Sequence, residues 1–247
     1  MILLRLLSAN RFAELAFNVE IWYILSMILY HGSKNGIKGD ISPYLSRESC
    51  DFGKGFYTGD LPDQPKGLIA GWKDHELYEL ECNLNGLSLK EFTDDYEGNM
   101  DWALFIGFNR LKSEYSDYKN LCKRYESYNS EYDLIKGPIA NDKMFQLMER
   151  FYSGDLCDKA LISGLQQIRL GNQYVFKTEK SCSSEHINIV SERKLTQSEI
   201  AQVNADNQNR TKQSDLIYSQ LQTRYRRAAD VKFYDEILEE WNEQDSD

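Results

Sequence analysis

The sequence predicts an α+β fold, and two patterns carry this prediction. Residues 77–84 alternate apolar and polar side chains, and a period of two is typical of a half-buried strand. Between residues 101 and 128, aromatic and aliphatic side chains recur at three- and four-residue steps, which indicates one or two amphipathic helices. Hydrophobic side chains make up 41% of the 247 residues, which is enough for the core of one large domain with extensions.

The first part of the chain adds strands and a short helix to this fold. An apolar run over residues 28–31 predicts a buried strand that enters a glycine-rich turn. Residues 43–57 predict a loop followed by a second strand. A proline in the first turn, which a helix tolerates well, fits a short helix over residues 64–72. We expect Trp72 and Trp102 in the core.

The second part of the domain predicts three strands and two helices. Asn141 or Asp142 is a suitable cap for the first of these helices, which carries methionine, leucine and phenylalanine at helical spacing. The strands are expected over residues 132–138, 173–177 and 187–190, and the helices over residues 142–151 and 157–168.

The chain divides into three segments, with a predicted domain over residues 27–195. Residues 1–26 are apolar, but charges interrupt them before any run reaches the roughly 18–20 residues of a membrane span. They form either an N-terminal extension or a segment upstream of a true start at Met27. Residues 196–247 are polar, first basic and then acidic, with spaced apolar side chains. We expect a helical tail that either docks on the domain or meets a partner.

Composition limits the classes of function. The net charge of −10 disfavours duplex nucleic acid as the main ligand, although a local basic groove stays open. The five cysteines are scattered without a CxxC pair, which favours reduced thiols in a cytoplasmic protein. The three histidines are far apart in sequence, and no spacing suggests a metal site.

Three motifs point to chemistry. They are YHGS at residues 30–33, DFGKGFYTGD at residues 51–60 and NQYVF at residues 172–176. A histidine, a tyrosine and a third polar residue in this order suggest a cleft for a flat ligand that bears a ribose. The tripeptide DFG also occurs in the magnesium loop of protein kinases, but the other kinase motifs are absent from the sequence, so we do not expect a kinase.

The residue types explain why such a cleft is expected. The His31 ring can donate a hydrogen bond to a sugar hydroxyl. Gly32 leaves its backbone bare, so a planar amide could pair with its N–H and C=O groups. Tyr57 can stack on an aromatic ring while its hydroxyl stays in water. The Gln173 side chain can bond a ribose hydroxyl.

These motifs resemble those of the ADP-ribosyltransferase-like superfamily, in its poly(ADP-ribose) polymerase and diphtheria-toxin clade. More closely, the chain is similar to a bacterial family of uncharacterised domains with YHGS, DFGKGFYT and NQY motifs. The resemblance covers residues 28 to about 190. It implies a split antiparallel sheet that cradles NAD, with helices around it and a C-terminal helical extension.

The resemblance also implies roles for individual residues. His31 would hold the adenosine ribose, Gly32 would pair with the nicotinamide amide, and Ser33 would touch the ribose. Tyr57 would stack on nicotinamide. Gln173 stands where the clade has a glutamate that bonds the nicotinamide ribose, so His31, Tyr57 and Gln173 are the expected catalytic residues.

The glutamine is a departure with chemical consequences. A carboxylate stabilises the positive charge at ribose C1′ in the transition state, and losing such an interaction costs a few kcal/mol. Glutamine keeps a hydrogen bond but cannot act as a base, so polymer elongation is not expected. Glu179 is a candidate substitute, and Arg47 a candidate ligand of the NAD pyrophosphate. If Gln173 occupies the glutamate position, Gln173→Glu should raise NAD hydrolysis.

The resulting expectation is an NAD-dependent mono-ADP-ribosyltransferase that needs no metal and modifies an unknown protein or nucleic acid. By analogy with bacterial domains of this type, it would be the toxin of a toxin–antitoxin or phage-defence module, with an antitoxin or other partner at the C-terminal tail. The alternatives are a non-catalytic sensor of NAD or ADP-ribose and an interaction protein.

Overall fold

The computed structural model describes residues 26–140, 142–168, 171–225 and 227–244. The predicted N-terminal extension therefore lies outside the described residues, apart from its last position. The described chain is a mixed α+β structure, built on a seven-stranded sheet with helices packed against it. This confirms the predicted α+β class.

The helices and strands fall close to the predicted positions. The strands are β1 Ser26–Ser33, β2 Phe56–Gly59, β3 Glu76–Asn83, β4 Leu89–Glu91, β5 Leu134–Pro138, β6 Asn172–Phe176 and β7 Ile187–Arg193. The helices are α1 Asp63–Ile69, α2 Tyr96–Arg110, α3 Lys119–Glu131, α4 Asp142–Tyr152, α5 Asp158–Ile168, α6 Gln197–Tyr225 and α7 Tyr234–Gln244.

Three details differ from or sharpen the predictions. The helical pattern over residues 101–128 belongs to two helices, α2 and α3, which a 3₁₀ turn at Lys112–Tyr115 separates. The short strand β4 was not predicted, because three residues are too few to give a pattern and its side chains are largely exposed. The prediction for Trp72 is wrong: this side chain is half exposed, with the Lys34 ammonium 4.2 Å from its ring centre, whereas Trp102 is fully buried.

The strand order in the sheet is β4-β5-β6-β2-β1-β3-β7. Strands β1 and β3 pair at eight positions, from Ser26↔Asn83 to Ser33↔Glu76. Strands β1 and β2, in contrast, pair at the single position Tyr30↔Gly59. The sheet is therefore continuous but narrowly joined at its centre.

Two large hydrophobic cores cover the two faces of the sheet, and a third, small cluster contains Ile69, Leu77 and Leu195. The larger core lies between the sheet and helices α2 to α5 and includes Trp102 and Val175. The smaller core, around Leu29 and Phe176, covers the opposite face. Side chains of a strand alternate between faces, which explains why consecutive residues of β6 enter different cores.

The C-terminal tail is built into this structure. Helix α7 buries four side chains in the larger core, and Leu221 of α6 joins them. Asn120, at the start of α3, donates its backbone amide to Oδ1 of Asn242 and its side-chain amide to the backbone carbonyl of Asn242. The tail thus docks on the domain. None of the helices within the described ranges has the length and hydrophobicity to cross a membrane.

Candidate functional site

The sheet brings the three sequence motifs side by side. The YHGS motif lies on β1, the FYTG part of the second motif forms β2, and NQYVF forms β6; β2 lies between the other two strands. Tyr57 pairs with Val175, and Gly59 pairs with Gln173. Tyr57 and Gln173 therefore share one face of the sheet, as diagonal neighbours roughly 7–8 Å apart.

The sheet opens between β1 and β2 at the first motif. Beyond Tyr30↔Gly59 the pairing of β1 with β2 ends, while β1 stays paired with β3 as far as Ser33. At the opening, a side-chain contact takes the place of the backbone hydrogen bonds between the two strands. Nδ1 of His31 lies 2.7 Å from the backbone carbonyl oxygen of Tyr57. The histidine thus fixes the separation of the two strands.

This contact also determines the proton positions on His31. A carbonyl oxygen only accepts, so Nδ1 carries the proton and donates. Burial lowers the pKa of His31, although the hydrogen bond to Tyr57 opposes this effect. The neutral ring therefore presents an unprotonated Nε2, which is an acceptor of hydrogen bonds. The sequence suggested a hydrogen-bond donor, whereas in this geometry the free ring nitrogen of His31 is an acceptor.

The imidazole itself lies on the side of the smaller core. Its ring stacks on Phe56, with the centroids 4.4 Å apart. Because neighbouring residues of a strand point to opposite faces, Phe56 and Tyr57 lie on opposite sides of β2. His31 thus contacts the backbone of Tyr57, while the His31 ring and the Tyr57 ring lie on opposite faces of β2.

Gly32 has a packing role that the sequence did not reveal. A Cβ atom at this position would lie 2.8 Å from the carbonyl oxygen of Pro65 and 2.9 Å from the side chain of Ile69. Helix α1 therefore packs directly on the backbone of β1. Only glycine allows this contact. The backbone of Gly32 is not paired with β2 along the strand edge, but helix α1 covers it on this face of the sheet.

The Tyr57 hydroxyl is engaged within its own motif. It donates to the carbonyl of Gly53 at 2.7 Å and accepts from the amide of Phe52 at 2.9 Å. Burial raises the pKa of Tyr57 well above the usual range, and the nearby charge of Asp51 adds to this. The hydroxyl was expected in water, but it bonds two backbone groups of the glycine-rich turn, and the half-buried ring packs against the larger core.

The orientation of the Gln173 amide follows from its neighbours. Its Nε2 lies 3.0 Å from the carbonyl oxygen of Pro138 and 3.5 Å from Oδ2 of Asp51. Both partners are acceptors, so the amide nitrogen faces them. The side chain is buried, and within the described part of the chain Oε1 accepts no hydrogen bond. Gln173 therefore offers a carbonyl oxygen to the site.

Asp51 and Arg110 complete this cluster, and neither was singled out from the sequence. Arg110 Nε donates to Oδ1 of Asp51 at 2.8 Å, and a second guanidinium nitrogen contacts the same oxygen. The guanidinium also stacks on the ring of Phe145, 3.7 Å from its centroid. Asp51 is the first residue of the second motif, which was the available signal, but its partner is 59 positions away in sequence.

A buried lysine holds the other side of the glycine-rich turn. Lys177, directly after β6, donates to the backbone carbonyl of Phe52 and to Oδ1 of Asn129, the latter at 3.1 Å. Burial lowers the pKa of Lys177 to about 8. The turn is thus fixed by Asp51 at its start and by Lys177 next to it.

The remaining predicted residues lie at the margin. Ser33 is half-buried and accepts from the amide of Asn35 at 3.4 Å, and Arg47 is exposed in the loop before β2. Glu179 lies in the exposed turn after β6, at the far end of the strand from Gln173, so it does not reach the glutamine. Across the described ranges, His, Cys, Asp and Glu form no group arranged to hold a metal ion.

Fold and site define an α+β domain in which three adjacent strands carry a histidine, a tyrosine and a glutamine at an opening of the sheet. Residues 27–186 match the family DUF3990, described as a protein of unknown function, and the chain belongs to this family. Neither a curated protein nor a solved structure matches the chain.

Proposed function

We propose that the chain is an NAD-dependent mono-ADP-ribosyltransferase with a split-sheet fold of the ADP-ribosyltransferase type. The observation that carries this proposal is the central opening of the sheet. There β1 and β2 separate after a single paired position, and the His31, Tyr57 and Gln173 motifs meet on three adjacent strands. A narrowly joined sheet with an opening at these motifs is what the motif resemblance implies.

In the proposed reaction the bond between the nicotinamide nitrogen and ribose C1′ breaks. Its electron pair leaves with nicotinamide, and an acceptor nucleophile bonds to C1′ and releases its proton. Tyr57 contributes a ring face for nicotinamide, since its hydroxyl is occupied elsewhere. Nε2 of His31 and Oε1 of Gln173 each accept a hydrogen bond from a ribose hydroxyl. Neither residue acts as a charged base, so one transfer per acceptor is favoured over chain growth.

The acceptor is a protein or a nucleic acid in this proposal, and a toxin role remains the biological hypothesis. Acceptor choice resides in the loops around such a site. The docking of α6 and α7 on the domain leaves their exposed faces as the surface for an antitoxin or other partner.

One observation favours a second candidate, a non-catalytic NAD or ADP-ribose sensor. The amide nitrogen of Gln173 is fully occupied by Pro138 and Asp51, and a neutral amide gives a developing cation less stabilisation than a carboxylate does. A sensor would bind NAD through His31 and Tyr57 and leave it intact.

Nicotinamide release from NAD tests the proposal, with His31→Ala and Tyr57→Ala as variants. We expect each variant to lower the rate of nicotinamide release roughly tenfold or more. This is the effect expected from the loss of one neutral hydrogen bond or one aromatic stacking contact. His186→Ala is the matched control, because His186 is also buried and also pairs Nδ1 with a backbone carbonyl, that of Asn83 at 2.7 Å, but lies outside the site.

The outcomes separate the candidates. Release that both site variants abolish and the control retains supports the transferase. NAD binding without release, in a whole lysate that supplies acceptors, supports the sensor. If wild-type protein does not bind NAD at all, both candidates are wrong.

A further inference from the structure

A buried charged side chain, Asp51, lies next to Gln173, and the proposed reaction assigns it no role. Asp51 is buried, directs Oδ2 at the Gln173 amide and accepts from Arg110 through Oδ1. An arginine in direct contact favours the charged form of a buried carboxylate. The ion pair is therefore a dipole with its negative end near the glutamine.

We propose that Asp51 and Gln173 act as one unit, in which the aspartate supplies the negative charge and the glutamine presents it to the ribose. Asp51 is a positioning residue: it holds the amide nitrogen, so that the carbonyl oxygen of Gln173 faces the site. Its charge polarises the amide and stabilises the positive charge that develops at C1′. This inference rests on the proposed transferase function.

The geometry reverses the expectation for Gln173→Glu. A glutamate here would direct a carboxylate oxygen at the carbonyl of Pro138 and at Oδ2 of Asp51, where the amide nitrogen now donates. Two carboxylates at this distance repel each other, and one must take up a proton or move away. The substitution that restores a glutamate therefore lowers activity when made alone.

The same geometry predicts that a second substitution rescues the first. In the double variant Asp51→Asn with Gln173→Glu, the acid and the amide exchange places. The asparagine amide donates to the glutamate, its carbonyl oxygen still accepts from Arg110, and the unit again contains one negative charge.

The test compares four full-length proteins in NAD hydrolysis, with water as the acceptor and nicotinamide as the product. We expect Gln173→Glu to lower kcat at least tenfold. We expect Asp51→Asn to lower kcat at least tenfold with the KM for NAD within about threefold, because the charge acts on the transition state. The double variant should recover at least tenfold over Gln173→Glu but stay below wild-type kcat, because the Pro138 carbonyl still faces the glutamate.

A matched control separates this role from structural support. Asp101→Asn removes another buried carboxylate that pairs with an arginine, Arg124 at 3.5 Å, outside the site. It should lower the unfolding temperature without lowering kcat. If Asp51→Asn, like Asp101→Asn, lowers the unfolding temperature without lowering kcat, Asp51 has a structural role and the inference is wrong.

The remaining outcomes also decide. A double variant no more active than Gln173→Glu overturns the unit, and this comparison holds even where Asp51→Asn alone does not fold. A Gln173→Glu variant that is more active than wild type overturns it as well. If wild-type protein releases no nicotinamide even in a whole lysate that supplies acceptors, the proposed function fails, and this inference fails with it. An active wild type with no coupling between the two positions contradicts this inference alone.

Discussion

Two regions of the molecule bury charges in different ways. In the helical layer, Asp101 lies between two cations, with Lys90 at 2.8 Å and Arg124 at 3.5 Å, and the Tyr128 hydroxyl bonds the same carboxylate. Near the sheet opening, neutral groups take part in holding the charges: Lys177 contacts a carbonyl and an amide oxygen, and Asp51 contacts both the Arg110 guanidinium and the Gln173 amide.

This difference separates a structural cluster from a site. Opposite charges in direct contact stabilise the fold only when all partners are present. Their electrostatic fields largely cancel at a distance, so they have little effect on a ligand nearby. Charges held by neutral dipoles stay partly uncompensated and are available to a charged ligand or transition state. The first region should therefore respond to substitution in stability, and the second in pH dependence and ligand chemistry.

The largest expected effect is on the helical-layer cluster. Asp101→Asn leaves two partly buried cations without their carboxylate, and breaking a buried ion pair costs about 3–5 kcal/mol. Equilibrium unfolding in urea measures it. Asp155→Asn is the control, because its pair with Arg150 is exposed and worth at most about 1 kcal/mol. An equal, small effect of both substitutions would mean that the cluster is not structural.

The next effect concerns Lys177 and pH. Its pKa is lowered to about 8 by burial, whereas lysine in an unfolded chain titrates near about 10.4. Between these values the unfolded chain binds more protons than the folded chain, so this lysine makes stability rise with pH. Below pH 8 both states are protonated and the contribution is constant.

Lys177→Met should remove this rise. From pH 7 to pH 10, the unfolding free energy of the wild type should increase relative to that of the variant by about 2 kcal/mol. Lys54→Met provides the comparison, since Lys54 lies in the same turn but is exposed and pairs with the exposed Glu48. A pH profile that is parallel for the wild type and Lys177→Met would show that Lys177 titrates normally.

The contrast between the regions also explains what the sequence could and could not predict. Period-two and helical patterns located nearly every element, because burial of one face imposes them locally. Motif order located His31, Tyr57 and Gln173 on what became three adjacent strands. The contact of Asp51 with Gln173 spans 122 positions and depends on side-chain packing, so no local pattern reports it.

Trp72 shows the same limit of sequence-based prediction for a residue that was expected in the core. A tryptophan after an apolar helix pattern is expected in a core. The side chain is instead half exposed, and its ring is in contact with the ammonium of Lys34, which follows β1. Composition identifies which side chains are apolar, but the tertiary fold decides which of them is covered.

The smallest expected effect tests how the site region is held together. The Tyr57 hydroxyl serves two backbone groups of the glycine-rich turn, the carbonyl of Gly53 and the amide of Phe52. Tyr57→Phe keeps the ring and leaves both groups without this partner, which should lower the unfolding free energy by about 1 kcal/mol. Tyr44→Phe is the control, because Tyr44 is exposed and its substitution should change stability by less than about 0.5 kcal/mol. If Tyr57→Phe is as neutral as the control, the turn is held by its other contacts, among them that of Lys177 with Phe52 and that of the Gly55 amide with Ser46 Oγ, and the hydroxyl is available to a ligand after all.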